Sequence, residues 1–312
     1  MQQMIAEQKK RMVKKGSNNF YSAKQKRDTR AFLYFVAPAV LAFSFMMLWP
    51  LMNLFGLSFF RWDGILKPKE FIGLANFVHL FKDRHFINAV LNTGFHLLVS
   101  MPGVLFPAFF LGYFLHRRFR GYGIFRTIFY LPAMISVTGI AMMFVGVYLP
   151  DGILNTILKS VGLDSLTRAW LGNPHTVLPA IVLIDLYGGI GFYAVMFFAA
   201  FSNIPKELSE AAELDGAGQW RIMWRIYFPN TLGFFGVVSM LHMLYILLDS
   251  GQRVLLLTSG GPGDYSLTLG YYLYNQAFLA DNLGYSQAIG VFICVVGVLG
   301  MLLIKRYTRQ DN

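Results

Sequence analysis

Six stretches of this chain are apolar over about the 20 residues that a helix needs to cross a bilayer. They run from about residue 31 to 60, 89 to 115, 124 to 148, 177 to 201, 231 to 258 and 288 to 304. In lipid every backbone polar group must be paired within the protein, and single segments achieve that as helices. The pattern therefore predicts an all-α, polytopic membrane protein with six transmembrane helices. Prolines inside the runs, such as Pro38, Pro50, Pro102 and Pro107, fit this reading, because neighbouring helices can satisfy the freed groups. Composition points the same way: 55% of the residues are hydrophobic and 14% are charged. A soluble domain carries about 25% charge, so a soluble enzyme, a disordered chain and a fibrous protein are all excluded. The first run is about twice as long as a signal-peptide core, and no small-residue cleavage site follows it. It reads as a retained span.

The charges sort the two sides of the membrane. The net charge is +11, from 27 Lys and Arg against 16 Asp and Glu. Nine basic residues lie in the head, Met1 to Arg30. Arg117, Arg118, Arg120 and Arg126 follow the second run, Lys206, Arg221 and Arg225 follow the fourth, and Lys305, Arg306 and Arg309 close the chain. The alternate loops hold seven. Cytoplasmic loops are rich in Lys and Arg, so both termini are expected to be cytoplasmic. The domain organisation reads as a basic cytoplasmic head (1–30), a six-helix transmembrane domain (31–307) and a short cytoplasmic tail (308–312). The head is a topogenic tail or an arm that touches anionic lipid headgroups or a protein. A nucleic-acid partner would need one basic folded face, which four dispersed segments do not supply, and none is expected. Cys294, the single cysteine, lies in an apolar run and has no intrachain partner.

The outside segments carry two short amphipathic patterns. Asp151 to Leu163 places Ile153, Leu154, Ile157, Leu158 and Val161 on one helical face, with Asp151 as N-cap. Phe77, Val78, Leu80 and Phe81 form a similar face in the first outside loop. Ser259-Gly-Gly-Pro-Gly263 is a breaker cluster that ends the fifth run. All three pack at the interface or offer a docking surface to an outside partner.

The most informative segment is the loop from Ser202 to Pro229. Connections between packed helices are ordinarily about 2–8 residues long. Pro205 opens a helix, with Glu207 and Glu210 near the positive end of its dipole. Leu208, Ala211, Ala212 and Leu214 form a small and apolar face, and Gly216 stops the helix. A second segment, about Gln219 to Tyr227, puts Trp220, Met223 and Trp224 together, and Pro229 is expected to separate it from the fifth span. A helical hairpin of this kind needs a groove for its apolar face.

Glu210-Ala211-Ala212, then Gly216, then Ile226-Tyr-Phe-Pro229 closely resembles the cytoplasmic coupling loop of permease subunits of bacterial ABC importers. The usual pattern has Leu where this chain has Phe228, an apolar exchange. Phe71-Ile-Gly-Leu-Ala-Asn-Phe77, Phe119 to Thr127 with Leu131-Pro132, Gly152-Ile-Leu-Asn155, Trp170-Leu-Gly172, Leu257 to Pro262 and Gly284-Tyr285 are similar to the first-permease branch of the maltose-importer-like carbohydrate uptake family. The head is not covered. The resemblance implies the ABC importer permease fold and a bacterial inner-membrane location. It implies that Glu210 pairs with a basic residue of a separate ATPase subunit, while Ala211, Ala212 and Gly216 allow close approach; Asp215 and Pro229 belong to the same coupling loop. It further implies a second permease subunit, two ATPase subunits, an extracytoplasmic solute-binding protein and a sugar or oligosaccharide substrate. The chain has no phosphate loop ending in Gly-Lys-Ser/Thr, so ATP and Mg are expected on the partner ATPase, with no cofactor in this chain and no enzymatic activity of its own.

Ionisable residues within spans are costly and point to function. Asp185 stands in the fourth run, with Gly188, Gly189 and Phe192 on the same helical face. Its carboxylate offers acceptors to hydroxyls, the glycines allow close approach, and Phe192 offers a flat surface to a sugar ring. In the fifth run His242, Tyr245 and Asp249 recur at helical spacing. By resemblance, Asp185, Gly188, Gly189, Phe192, Tyr245 and Asp249 match positions lining the family's translocation cavity, although relatives often carry amides in place of the two acids. Other readings stay open. Gly188, Gly189 and Gly191 also suit close helix packing, and Asp249 can pair with Arg253 at i+4 or with a partner permease. An ion-coupled secondary transporter using Asp185 and Asp249 is the alternative function. A membrane enzyme with these acids as a pair lacks any nucleophile–base motif, and no histidine has a partner at metal-ligand spacing.

Overall fold

The structure, a computed structural model, describes residue 32 and residues 34–308. The basic head and residues 309–312 of the tail lie outside the described residues. Backbone packing divides the chain after Gly56 into two units. The first contains all but the last residue of α1, Tyr34–Leu57, a helix apolar on all sides and long enough to cross a membrane. It runs through Pro38 and Pro50 without a break.

The second unit begins with a small hairpin, β1 (Phe60–Arg61) and β2 (Glu70–Phe71), paired antiparallel with Phe60 opposite Phe71. The pairing is two residues long and leaves the all-α architecture unchanged. Asn76 locks it in place: its side-chain amide is buried and donates to the carbonyls of Ser58 at 2.8 Å and Phe60 at 3.0 Å. Asn76 belongs to α2 (Ala75–Leu80), which is followed by α3 (Arg84–His116), α4 (Tyr122–Met134), α5 (Val137–Tyr148), α6 (Ile153–Ser160) and α7 (Val177–Phe201). Then come α8 (Lys206–Leu214), α9 (Gln219–Ile222), α10 (Phe228–Leu248), α11 (Ser250–Leu257), α12 (Leu269–Phe278) and α13 (Leu283–Thr308). Six segments are long and apolar enough to cross a membrane.

Two of these spans differ from the sequence expectation. The third is not one helix. α4 ends at Met134, Ile135 is extended, and the Ser136 hydroxyl caps α5 by accepting from Gly139 N at 3.1 Å. Non-helical backbone at membrane depth is tolerated where it lines a cavity, and this break does so. The fifth span has a joint at Asp249, between α10 and α11. Pro229, in contrast, does not interrupt the chain. Residues 223–227 form a π-helical turn that leads directly into α10. The widened turn accommodates a residue that has no N–H to offer. The short helix after α5 is present, but Gly152 rather than Asp151 occupies its N-cap position. Asn155 secures it. Its amide donates to the Arg168 carbonyl at 2.9 Å, and its oxygen accepts from the Trp170 indole at 2.9 Å, joining the Gly152–Asn155 and Trp170–Gly172 motifs.

α3 packs along α7, and α13 along α10. One apolar core joins the start of α3 to α12 and α13 through Phe86, Ala89, Tyr271 and Ile289. Another joins the far end of α3 to α7 and the α9–α10 region through Phe109, Phe197, Phe201 and Tyr227. The first of these ends is fastened by Asp83, the N-cap of α3. Its carboxylate accepts from His85 N at 2.9 Å, Tyr272 OH at 2.5 Å and Tyr285 OH at 2.6 Å. Burial works against its charged form, but the tyrosine and backbone hydrogen bonds outweigh burial and hold its pKa below the ordinary value. A carboxyl with a lowered folded-state pKa adds stability above its unfolded value, about 3.9, and loses it as pH falls through the folded value. Thermal stability in detergent is therefore expected to drop below about pH 4, and the Asp83→Asn variant to lose that part of the drop. An unchanged acid limb in the variant would assign the effect elsewhere.

Candidate functional site

The break in the third span borders a cavity of about 250 Å³. α4 contributes Pro132 and Ala133, Ile135 lies at the break, and α5 contributes Val137 and Ile140. The other walls come from α7, α10 and α11. Of the expected pathway residues, Asp185, Gly188, Gly189, Phe192 and Tyr245 all line it. They share one side of the pathway because residues 185, 188, 189 and 192 are helical neighbours. The three glycines have different surroundings. A Cβ on Gly188 would meet only Ile140 Cδ1, at 4.0 Å. One on Gly189 would press on Val104 of α3, at 3.0 Å. One on Gly191 would collide with the Phe129 carbonyl of α4. Close packing is therefore the role of Gly191, and Gly188 is the glycine with room beside it.

Asp185 departs from the expectation that its carboxylate offers acceptors to a solute. Its side chain is fully buried although its residue forms part of the wall. Oδ1 is ion-paired with Arg253 of α11 and accepts from Tyr245 OH at 3.1 Å. Oδ2 is hydrogen-bonded to His96 Nε2 of α3. The carboxylate is thus spent on three protein partners. Asp249 departs further. It is exposed at the α10–α11 joint and is not part of the cavity wall. The i+4 pair with Arg253 is not formed, because Arg253 turns to Asp185. The two acids do not make a relay or a catalytic pair.

Sequence spacing did not connect Asp185 with His96 or Arg253, because they come from α3 and α11 and no local pattern relates them to it. Arg253 is 7% exposed and lies over the Tyr245 ring, its guanidinium carbon 5.2 Å from the centroid. His242 takes Ser100 Oγ at 2.9 Å on one nitrogen and Tyr193 OH at 3.3 Å on the other. Among the described residues no cluster of His, Cys, Asp and Glu has the form of a metal site.

At the end of the bundle where α3 and α7 finish, α8 and α9 form the expected hairpin. Pro205 precedes α8, which ends at Leu214 with Asp215 as its C-cap. Gly216 follows with a φ of +77°. Gly216 N donates to Glu213 O at 3.0 Å, and Ala217 N to Ala212 O at 2.9 Å. This is the paired closure of a glycine-ended helix. Gln219 then ties the hairpin together: its amide donates to Glu213 at 2.7 Å, and its oxygen accepts from Tyr113 OH of α3 at 2.9 Å. Ala212 and Ala217 pack against the core. Glu210, Ala211, Asp215, Gly216 and Pro229 are exposed, and so are the apolar Leu208, Leu214 and Trp220. The hairpin is firmly held on one side and open on the other.

Cavity and hairpin together are the equipment of a transport permease, and the chain belongs to the family of binding-protein-dependent transport system inner membrane components, whose pattern covers residues 103–310. It is therefore a multi-pass inner-membrane protein of the ABC importer type. Among similar proteins is the probable ABC transporter permease protein YurN of Bacillus subtilis (strain 168), 35% identical over 89% of this chain and 96% of that one. The diacetylchitobiose uptake system permease protein NgcF of Streptomyces coelicolor is 29% identical over 80% of this chain and 73% of its own. A solved bacterial ABC transporter, involved in the import of the acidic polysaccharide alginate, has a chain of the same fold. It matches with a TM-score of 0.76 and 25% identity over 92% of this chain and 98% of that one.

Proposed function

We propose that this chain forms half of the translocation pathway for a sugar or oligosaccharide and is driven by a separate ATPase through the α8–α9 hairpin. The observation that carries the reading is the hairpin itself: Glu210, Ala211, Asp215 and Gly216 are exposed on a helix whose opposite side is anchored to α3 and the core. A load applied there passes into the spans instead of being lost in a loose loop. The sugar part rests on relatives such as the diacetylchitobiose system. The assembly would contain a second permease subunit, two ATPase subunits that hold ATP and Mg, and a solute-binding protein outside the membrane. Pro229, at the entry to α10, would transmit the hairpin's displacement to the fifth span. Solute would pass the wall formed by Gly188, Phe192 and Tyr245, with Asp185 and Gly189 behind it and Asp249 at the joint.

The test is purification of the chain from native membranes in mild detergent. An ATP-hydrolysing subunit is expected to accompany it. A chain that purifies alone and drives uptake from an ion gradient would instead be a secondary transporter.

A further inference from the structure

We propose that Asp185 is a charge-masking positioning residue: it pins the Arg253 guanidinium in the cavity wall, leaves the pathway without net charge, and so fits it to an uncharged sugar and against a uronic acid. The identity of the solute as a sugar rests on the reading above; the masking does not.

The geometry is that of a closed electrostatic unit. Arg253 supplies one positive charge, and Asp185 one negative charge, in direct contact. His96 Nε2 is hydrogen-bonded to the same carboxylate. Tyr245 donates to Oδ1, and its ring lies under the Arg253 guanidinium. Buried charges persist in proteins when they are paired and hydrogen-bonded in this way. Four elements meet at the carboxylate: α3, α7, α10 and α11. The cavity-facing result is asymmetric. Asp185 has no exposed side-chain surface, whereas Arg253 retains 8% of its side chain and lines the cavity. Arg253 Nε has no hydrogen-bond acceptor among the described residues. That nitrogen is itself buried, so the wall presents only the remaining exposed part of the Arg253 side chain, its charge already cancelled. Such a surface gives an entering anion little return for the water that it sheds. Without the Asp185 charge, the same guanidinium would become a free cation and an attractive site for a carboxylate.

The test uses the intact transporter in native membranes and phenylglyoxal, an arginine-selective dicarbonyl. Modification at Arg253 is read by peptide mass spectrometry against the exposed Arg120. Arg253 is expected to be protected in the wild type. In Asp185→Asn its modification relative to Arg120 should rise about tenfold. Glucuronate should slow that labelling, and glucose, its neutral counterpart, should not. Equal Arg253 labelling in wild type and variant overturns the proposal. So does glucuronate without effect, or glucose with the same effect. If Asp185→Asn does not accumulate, the double variant Asp185→Asn/Arg253→Gln decides. Removal of both charges should restore the amount of this chain in the membrane that either single variant loses. A double variant no better than the singles overturns the masking. None of these readouts requires uptake, so failure of the importer reading would register separately, as a chain without an ATPase.

Discussion

A chain carrying Glu210→Ala together with Gly216→Pro is expected to reach the membrane at the wild-type level and to lose nearly all ATP-driven uptake. The two substitutions act on different parts of one device. Glu210 is exposed on α8 and free to meet a partner cation. Loss of a charge-assisted hydrogen bond costs about 1.5–3 kcal/mol, or about 10- to 100-fold in a binding constant. Gly216 holds a φ of +77°, whereas proline is fixed near −65°. The substitution therefore undoes the turn that closes α8, along with the Gly216 N to Glu213 O bond at 3.0 Å. Gln219, which links Glu213 to Tyr113, would lose its alignment next. Neither substituted residue lies in the apolar packing of the spans, so insertion and the bulk of the fold should survive. The measurement is solute-stimulated ATP hydrolysis by the assembled transporter beside the amount of chain in the membrane. Normal coupled hydrolysis in the double variant would remove the hairpin from the mechanism.

The hairpin was legible in the sequence because its determinants are local. Pro205, Glu210-Ala-Ala and Gly216 each act within one helical turn, and their spacing carries the geometry. The six apolar runs were legible for the same reason: span length is set by bilayer thickness, whatever the neighbours do. The cavity was only half legible. Asp185, Gly188, Gly189 and Phe192 sit on one helix, so periodicity groups them. Whether the Asp185 carboxylate is open or spent depends on His96 and Arg253, which are 89 and 68 positions away in the chain and have no local relation to it. Asp249 shows the converse. Its spacing from Tyr245 and Arg253 holds for an unbroken helix, and the joint at Asp249 itself removes that premise. The break at Ile135 and Ser136 was hidden because an apolar run looks the same whether it forms one helix or two. The backbone interruption is compensated by a cavity that only the assembled helices create.

Among the described glycines, Gly191→Ala is expected to be the most damaging substitution. A Cβ at Gly191 would lie 1.7 Å from the Phe129 carbonyl oxygen and 2.5 Å from its carbon. These are backbone atoms of α4, so no side-chain rotation relieves the overlap, and the whole helix must withdraw from α7. Overpacking that side chains can absorb costs about 1–3 kcal/mol; here the upper end or more is expected. The consequence reaches the site, because the same α4 carries Pro132 and Ala133 in the cavity wall. The neighbouring glycines calibrate the claim. Gly189→Ala would press on a Val104 methyl at 3.0 Å, which can shift by a few tenths of an ångström. Gly188→Ala would meet one methyl at 4.0 Å, an ordinary contact, and would project into the cavity instead. Thermal stability of the detergent-solubilised chain should therefore fall in the order Gly188→Ala, Gly189→Ala, Gly191→Ala. The Gly188 variant should keep its stability and change solute affinity. Equal stability of the Gly188 and Gly191 variants would mean that α4 does not press on α7 at this crossing. The cavity would then not owe its shape to a glycine on its far side.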